Sequence, residues 1–217
     1  TPVIVDGVPF KVVWSSLLLM EIIMSYLEIA IGFPSITGEV IIMTKDIIIF
    51  FNKQTLALVL GSGAQKSQAQ LRSISAKHLT VTAQSIGLIL AMLPHIRAAF
   101  LTQLPPNRSM QLTELDRVSQ DLLDHHSKIL TKFVIILGDS IDMSAPKLNG
   151  VNWDVSSPGQ IDYFEDLSKN ITALHRVLLL DSMLPLEQVQ DIFSRIFSLL
   201  LRKVPSHFED VIPHTKT

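Results

Sequence analysis

The apolar residues of this chain fall into six long runs with helical spacing, separated by short breaks rich in proline, glycine or polar residues. The first run predicts a helix over about Val12–Ile31. Beyond Ser15-Ser16 near its start, its non-apolar positions, Glu21, Ser25, Glu28 and the following Gly32, recur at spacings of 4, 3 and 4, so they form one narrow polar stripe. A helix apolar over the rest of its circumference is expected to be central rather than peripheral. Phe33-Pro34 breaks it, and Ser35 or Thr37 is positioned to cap a second helix running to about Leu60. On that helix the polar pairs Gly38-Glu39, Lys45-Asp46 and Asn52-Lys53 recur every seven residues, the period of antiparallel helices crossing at a shallow angle.

Gly61-Ser62-Gly63 ends the second helix, and a polar connection over 65–75 leads to a third, about Ser75–Leu104. Lys77, Thr80, Gln84, Gly87, Ala91, Pro94 and Ala98 recur along it at threes and fours. Pro94 lacks an N–H and crowds the preceding turn, which predicts a kink that frees a backbone carbonyl. Pro105-Pro106-Asn107-Arg108 stops this helix, and Ser109 is expected to cap a fourth that runs to about Asp142. Its apolar stripe is Leu115, Val118, Leu122, Ile129, Phe133 and Ile136. Residues 144–159 read as a loop ending in a start signal, with Ser157 as cap, Pro158 as first helical residue and Gln160 at the capping-box position. A fifth helix to about Asp181 and a sixth over Pro185–Lys203 follow, the latter broken by Val204-Pro205. The only extended signal is Val3–Lys11, a hairpin-like lead-in with Asp6-Gly7 as its turn. The fold class is therefore all-α: an elongated multi-helix bundle of stacked antiparallel helices. The expected organisation is a four-helix bundle with its lead-in over 1–143, a loop over 144–159, and further helices over 160–217.

Composition narrows the function classes. Hydrophobic residues make up 47% and charged residues 18%, which excludes a disordered tail. The longest stretch without Asp, Glu, Lys or Arg, His78–Ile96, carries a polar or small residue on nearly every turn and reads as a buried helix rather than a lipid-facing one. Formal charge is −2, split as +2 over Thr1–Pro105 and −4 beyond, and no basic stripe interleaved with aromatics points to nucleic acid. Without cysteine there is no disulfide, thiolate nucleophile or thiolate metal site. Two glycosylation triplets, at Asn107 and Asn170, carry no weight, since the second lies inside a predicted helix.

Candidate chemistry is sparse. Gly61-Ser62-Gly63 lacks the third glycine of a dinucleotide loop and the Gly-Lys-Ser of a nucleotide loop, and it follows a helix rather than a strand. Asp121, Asp124, His125 and His126 form the one His/Asp cluster, with Asp121 and His125 on one face at i, i+4. No second carboxylate helix completes a metal site, so a solvated face is expected. No Gly-x-Ser-x-Gly elbow occurs. The chain reads as a non-enzyme with no cofactor, no metal and no small-molecule substrate. A binding surface is the better reading, and Lys66, Arg72, Lys77, His95 and Arg97 on or before the third helix are its candidate residues.

Ordered motifs over the first 105 residues carry a family resemblance. They are Val-Asp-Gly-Val-Pro-Phe at 5–10, Phe-Pro-Ser-Ile-Thr at 33–37, Phe-Phe-Asn-Lys at 50–53 and Leu-Val-Leu-Gly-Ser-Gly-Ala at 58–64. Ile-Ser-Ala-Lys-His-Leu at 74–79 and Leu-Pro-His-Ile-Arg-Ala-Ala-Phe at 93–100 follow. Beyond Pro106 the match thins to Asp-His-His at 124–126 and Leu-Pro-Leu-Glu-Gln at 184–188, and 144–159 has no counterpart. Together they resemble the C-terminal region of the vacuolar protein sorting-associated protein 54 family, tethering subunits of the Golgi-associated retrograde protein complex. The resemblance implies stacked helical bundles, no catalytic residues, and a role in catching carriers that return from endosomes to the trans-Golgi network. It implies other subunits of the complex as partners, with SNAREs or the endosomal membrane as further ones, on the cytosolic face of those compartments. A generic helical scaffold without a trafficking role is the alternative. The chain opens on Thr1 rather than Met and is expected to be a piece of a longer protein that stops short of the family's C-terminal end.

Overall fold

In a computed structural model, residues 2–60, 75–151, 153, 161–181, 184–209 and 211 are described. Two short strands, β1 (Val3–Val5) and β2 (Val8–Phe10), pair antiparallel, with Val3 opposite Phe10 and Val5 opposite Val8. Asp6 and Gly7 both take positive φ, 48° and 80°, as a two-residue turn that matches strand twist requires. Among the described residues six α-helices follow: α1 (Trp14–Gly32), α2 (Thr37–Val59), α3 (Ala76–Gln103), α4 (Thr113–Ser144), α5 (Asp162–Arg176) and α6 (Leu186–Glu209). The all-α class holds. The chain divides into two compact units, Thr1–Ile129 and Leu130–Thr217.

In the first unit α1, α2 and α3 pack on one another, and the single 3-10 turn Pro34–Ile36 between α1 and α2 makes that pair antiparallel. The recurrent small residues of α3 seat the hairpin. A Cβ added at Gly87 would stand 3.2 Å from the Phe10 ring. Val5, Phe10 and Leu88 form a buried cluster flanked by Met20, Ala91 and Met92. Gln84, buried, accepts the Lys11 backbone N–H at one end of the hairpin, and His95 bonds Asp6 at 2.9 Å at the other. The remaining polar residues of α3's core face turn inward on their own backbone: Thr80 donates to the Lys77 carbonyl and Ser85 to that of Val81.

In the second unit the end of α4 packs with α5 and α6 through a polar clasp. Asp142 of α4 accepts from Lys203 and lies 3.2 Å from His207 Nε2; His207 Nδ1 lies 3.1 Å from the hydroxyl of the fully buried Tyr163 on α5. Phe208 adds a stack on Phe164 and edge contacts to Trp153 and Tyr163.

Several boundaries differ from the sequence expectations. Neither Ser35 nor Thr37 caps α2. Thr37 is buried and donates to the Pro34 carbonyl at 3.0 Å, because the 3-10 turn leads straight into the helix. Ser109 lies inside a 3-10 helix, Pro106–Leu112, and α4 begins only at Thr113. Residues 145–150 form a 3-10 helix where a loop was expected, and Leu148 anchors it by burial. The helix of α5 continues as a π-turn, Val177–Asp181. Pro205 does not break α6, which runs on to Glu209. Proline near a helix end forfeits one backbone bond, and the aromatic contacts of Phe208 hold the last turn. Helix α3 continues through Pro94, in keeping with the expected helix over about Ser75–Leu104.

Helix α1 is not central among the described residues. It buries one stripe, Ser16, Leu19, Ile23, Leu27 and Ala30, and exposes Trp14 (74%), Leu17, Met24 and Ile31. The stripe Glu21, Ser25, Glu28 and Gly32 is exposed, as its spacing predicts. Gly61-Ser62-Gly63, the connection to Ile74, and the start signal Ser157-Pro158 with Gln160 lie outside the described residues.

Replacing Gly87 by Leu is expected to lift the hairpin off α3, since the new side chain occupies the Phe10 site. Amide hydrogen exchange over residues 3–10 should accelerate at least tenfold, with a stability loss of about 1–3 kcal/mol from overpacking. Unchanged exchange there would refute the seating role of Gly87.

Candidate functional site

Of the five candidate surface residues, Lys66 and Arg72 lie outside the described residues. The other three stand on α3, but not together. Lys77 is in its first turn and His95 is eighteen residues on, about 27 Å away at 1.5 Å per residue. His95 and Arg97 are tied into the first unit. His95 grips the hairpin turn through Asp6, and Arg97 Nε donates to Asp116 of α4 at 3.0 Å. Both pairs are well exposed, so they contribute little stability.

Lys77 belongs to a different feature. It lies at the rim of a cavity of about 770 Å³ walled by α1, α2 and α3, open to one side among the described residues and lined by more apolar than polar side chains. Beside it, Ser75 caps α3 in a reciprocal box. The Ser75 hydroxyl takes the His78 backbone N–H, and the Ser75 backbone N–H donates to His78 Nδ1 at 3.1 Å. With Nδ1 accepting, neutral His78 carries its proton on Nε2.

The His/Asp cluster on α4 is not the solvated face its composition suggests. Asp121 and Asp124 are exposed, but His125 is 2% exposed and its Nδ1–H donates to Oδ1 of Asn52 on α2 at 2.6 Å. Its Nε2 and that of His126 are buried with no partner. Burial is the main cause that pushes the His125 pKa down to about 4, with the nearby Lys128 and His126 adding to it; burial alone lowers His126. Among the described residues no group of three His, Cys, Asp or Glu could hold a metal ion. The buried pair was readable in retrospect. Leu115, Val118, Leu122, His125 and Ile129 recur at 3, 4, 3 and 4, so His125 sits on the apolar stripe.

In the second unit, Asp142, His207 and Tyr163 chain a carboxylate, an imidazole and a hydroxyl, the order of a nucleophile relay. The hydroxyl is inaccessible, and burial with the Asp142 charge raises the Tyr163 pKa. Asp142 is held below the usual carboxylate range, chiefly by the hydrogen bond from Lys203. The three side chains join helices; they present no attacking atom. Asn170, the second glycosylation triplet, sits on α5 with its Nδ2 donating to Ser140 Oγ at 2.7 Å.

A family model described as Vps54-like protein matches residues 7–140. The human vacuolar protein sorting-associated protein 54 is 32% identical over 207 residues, which is 94% of this chain and 20% of the human protein. The mouse protein of that name gives the same identity and coverage. An Arabidopsis thaliana relative, named vacuolar protein sorting-associated protein 54, chloroplastic, is 30% identical over 201 residues, 90% of this chain and 19% of its own length. The chain thus spans about one fifth of the curated relatives it matches. No solved structure matches.

Because neutral His125 is favoured in the fold, its contribution to stability is complete above the ordinary histidine pKa of about 6.5. It is lost as pH falls from there toward about 4, where the folded protein also protonates. The ring protons of His125 should titrate near pH 4 by NMR. Thermal stability should fall between pH 7 and 5, and His125→Leu should flatten that slope. A His125 midpoint near 6.5 would contradict the buried pair.

Proposed function

Because this chain belongs to the Vps54-like protein family, we propose that it is a non-catalytic helical module of a vesicle-tethering subunit. It acts in retrograde transport from endosomes to the trans-Golgi network by binding protein or membrane partners. Other subunits of the tethering complex are its first partners, with SNAREs or the endosomal membrane as further ones. Its place is peripheral, on the cytosolic face of those compartments. The observation that carries this reading is the extent of the family match. Residues 7–140 cover nearly the whole first unit, so the matched segment is a folded body and not a scattered motif.

Two structural features support a binding role. The first unit exposes large apolar side chains that a self-sufficient domain would cover, among them Trp14, Leu18, Phe33, Met43 and Phe50. Several polar groups among the described residues hold helices together, as in the Asp142–Lys203–His207 clasp. The basic residues Lys66, Arg72, Lys77, His95 and Arg97 are proposed contacts of this module, at more than one point along α3.

Expressed with a tag in cells, the chain should concentrate on endosomal membranes and recover tethering-complex subunits or SNAREs. Charge reversal at Arg97 together with His95→Ala should lower that recovery about tenfold, near 1.4 kcal/mol of binding. A diffuse distribution with no such partner recovered would overturn the reading. Recovery of unrelated partners alone would favour a generic scaffold.

A further inference from the structure

The box that closes the first turn of α3 depends on a titratable side chain. A capping box ordinarily places Glu or Gln at the third helical position, where a side-chain oxygen accepts the N-cap backbone N–H. Here that position holds His78. Its Nδ1 lies 3.1 Å from the Ser75 backbone nitrogen and 2.9 Å from the Ser75 hydroxyl. A backbone N–H can only donate, so this bond exists only while Nδ1 carries no proton. Ser75 and His78 are both exposed, so a proton reaches the ring without any unfolding. His125, buried on α4, is the opposite case.

Protonation of the ring sets an N–H against an N–H across that contact. The Ser75 hydroxyl can turn and accept from the ring instead, but the backbone donor cannot, and it loses its partner in the box. The ring also becomes a cation in the first turn of a helix, where the backbone dipole favours anions. Neighbouring charge supplies no counter-ion. Among the described residues that line the cavity with His78, drawn from α1, α2 and α3, Lys77 is the other titratable side chain and none is Asp or Glu. The preceding residues 61–74 carry Lys66 and Arg72 and no carboxylate. The closed box is therefore specific to the neutral ring. Histidine is the side chain that changes charge between about pH 5 and 8.

We infer that the first turn of α3 is a proton-sensitive latch: neutral His78 closes the box, and its protonation opens the box and loosens the turn that carries Lys77. This goes beyond the tethering role and does not depend on it. The experiment follows the whole chain, labelled with 15N, by NMR from about pH 8 to 5. At the upper end, two-bond couplings in the His78 ring should show the Nε2–H tautomer. The Ser75 amide proton should then shift with the same midpoint as the ring. Exchange protection of the His78 and Leu79 amides, both bonded to Ser75 in the closed turn, should fall about fivefold through that midpoint once corrected for the intrinsic pH dependence of exchange. His78→Gln supplies an acceptor that does not titrate, so protection should stay flat over the range; His78→Ala should show the low value throughout. The position is exposed, so both variants should keep their helical content. His125 and His126 remain in every variant, so acid destabilisation through them would appear in all alike. An Nδ1–H tautomer at pH 8, a Ser75 amide indifferent to the His78 midpoint, or the same loss of protection in His78→Gln would overturn the latch.

Discussion

Helix α3 must be buried on several sides at once, and the first unit is arranged around that requirement. Leu79, Ala83, Ile86, Leu93, Ile96 and Phe100 line one face and are all nearly inaccessible, and Thr80, Gln84 and Leu88, on another side of the helix, are buried as well. Buried side chains in close-packed interiors leave few voids, so the neighbours of such a helix are set by its surface relief. Where α3 is bulky, α1 and α2 supply the cover. Where it is small, at Gly87 and Ala91, the backbone is low enough for a two-stranded hairpin to lie on it. The polar ties at Gln84 and His95 then fix the hairpin lengthwise. A helix with these dimensions and an ordinary amphipathic stripe would have needed neither the hairpin nor α1.

The second unit solves the same problem differently. Helices α5 and α6 have distinct polar and apolar faces, and their apolar stripes close over Tyr163, Ile192 and Ile196. What the hairpin does for α3, a charged clasp and a cluster of rings do here, with Lys203 and His207 converging on Asp142 and Phe208 on Trp153, Tyr163 and Phe164. The family match ends at residue 140, just before Asp142. The part of the chain that the family model matches is thus also, among the described residues, the part with more exposed large apolar side chains.

Periodicity made the helices and the hairpin legible, because burial against a neighbour leaves a 3–4 rhythm and a tight turn needs residues such as Asp6-Gly7. It failed where a residue's environment comes from a distant segment. Asn52 and His125 each look solvent-facing when counted as polar, yet each occupies a position of its helix's core stripe, and their mutual bond makes the burial tolerable. Pro205 looked like a stop because its local cost is certain and the compensating contacts of Phe208 lie on other elements. Ser109 looked like a cap because nothing in a short polar stretch separates a 3-10 turn from the first turn of an α-helix. The candidate surface suffered from the same limit: Lys77 and His95 are close in type and in helix, and far apart in space. The cavity left no sequence signal at all, since its lining residues are ordinary stripe residues on three helices.

The uncovered side of α1 also bears on how the chain is made. Both α1 and α3 are long and apolar enough, by length and composition, to cross a membrane. About 70 residues separate the end of α1 from the end of α3, so at about 5–20 residues per second α1 leaves the ribosome roughly 4–14 s before its companion is complete. During that interval a nineteen-residue apolar helix is presented to everything that surveys nascent chains for insertion signals. Its Glu21 and Glu28, exposed in the finished fold, each add to the cost of placing that helix in a bilayer.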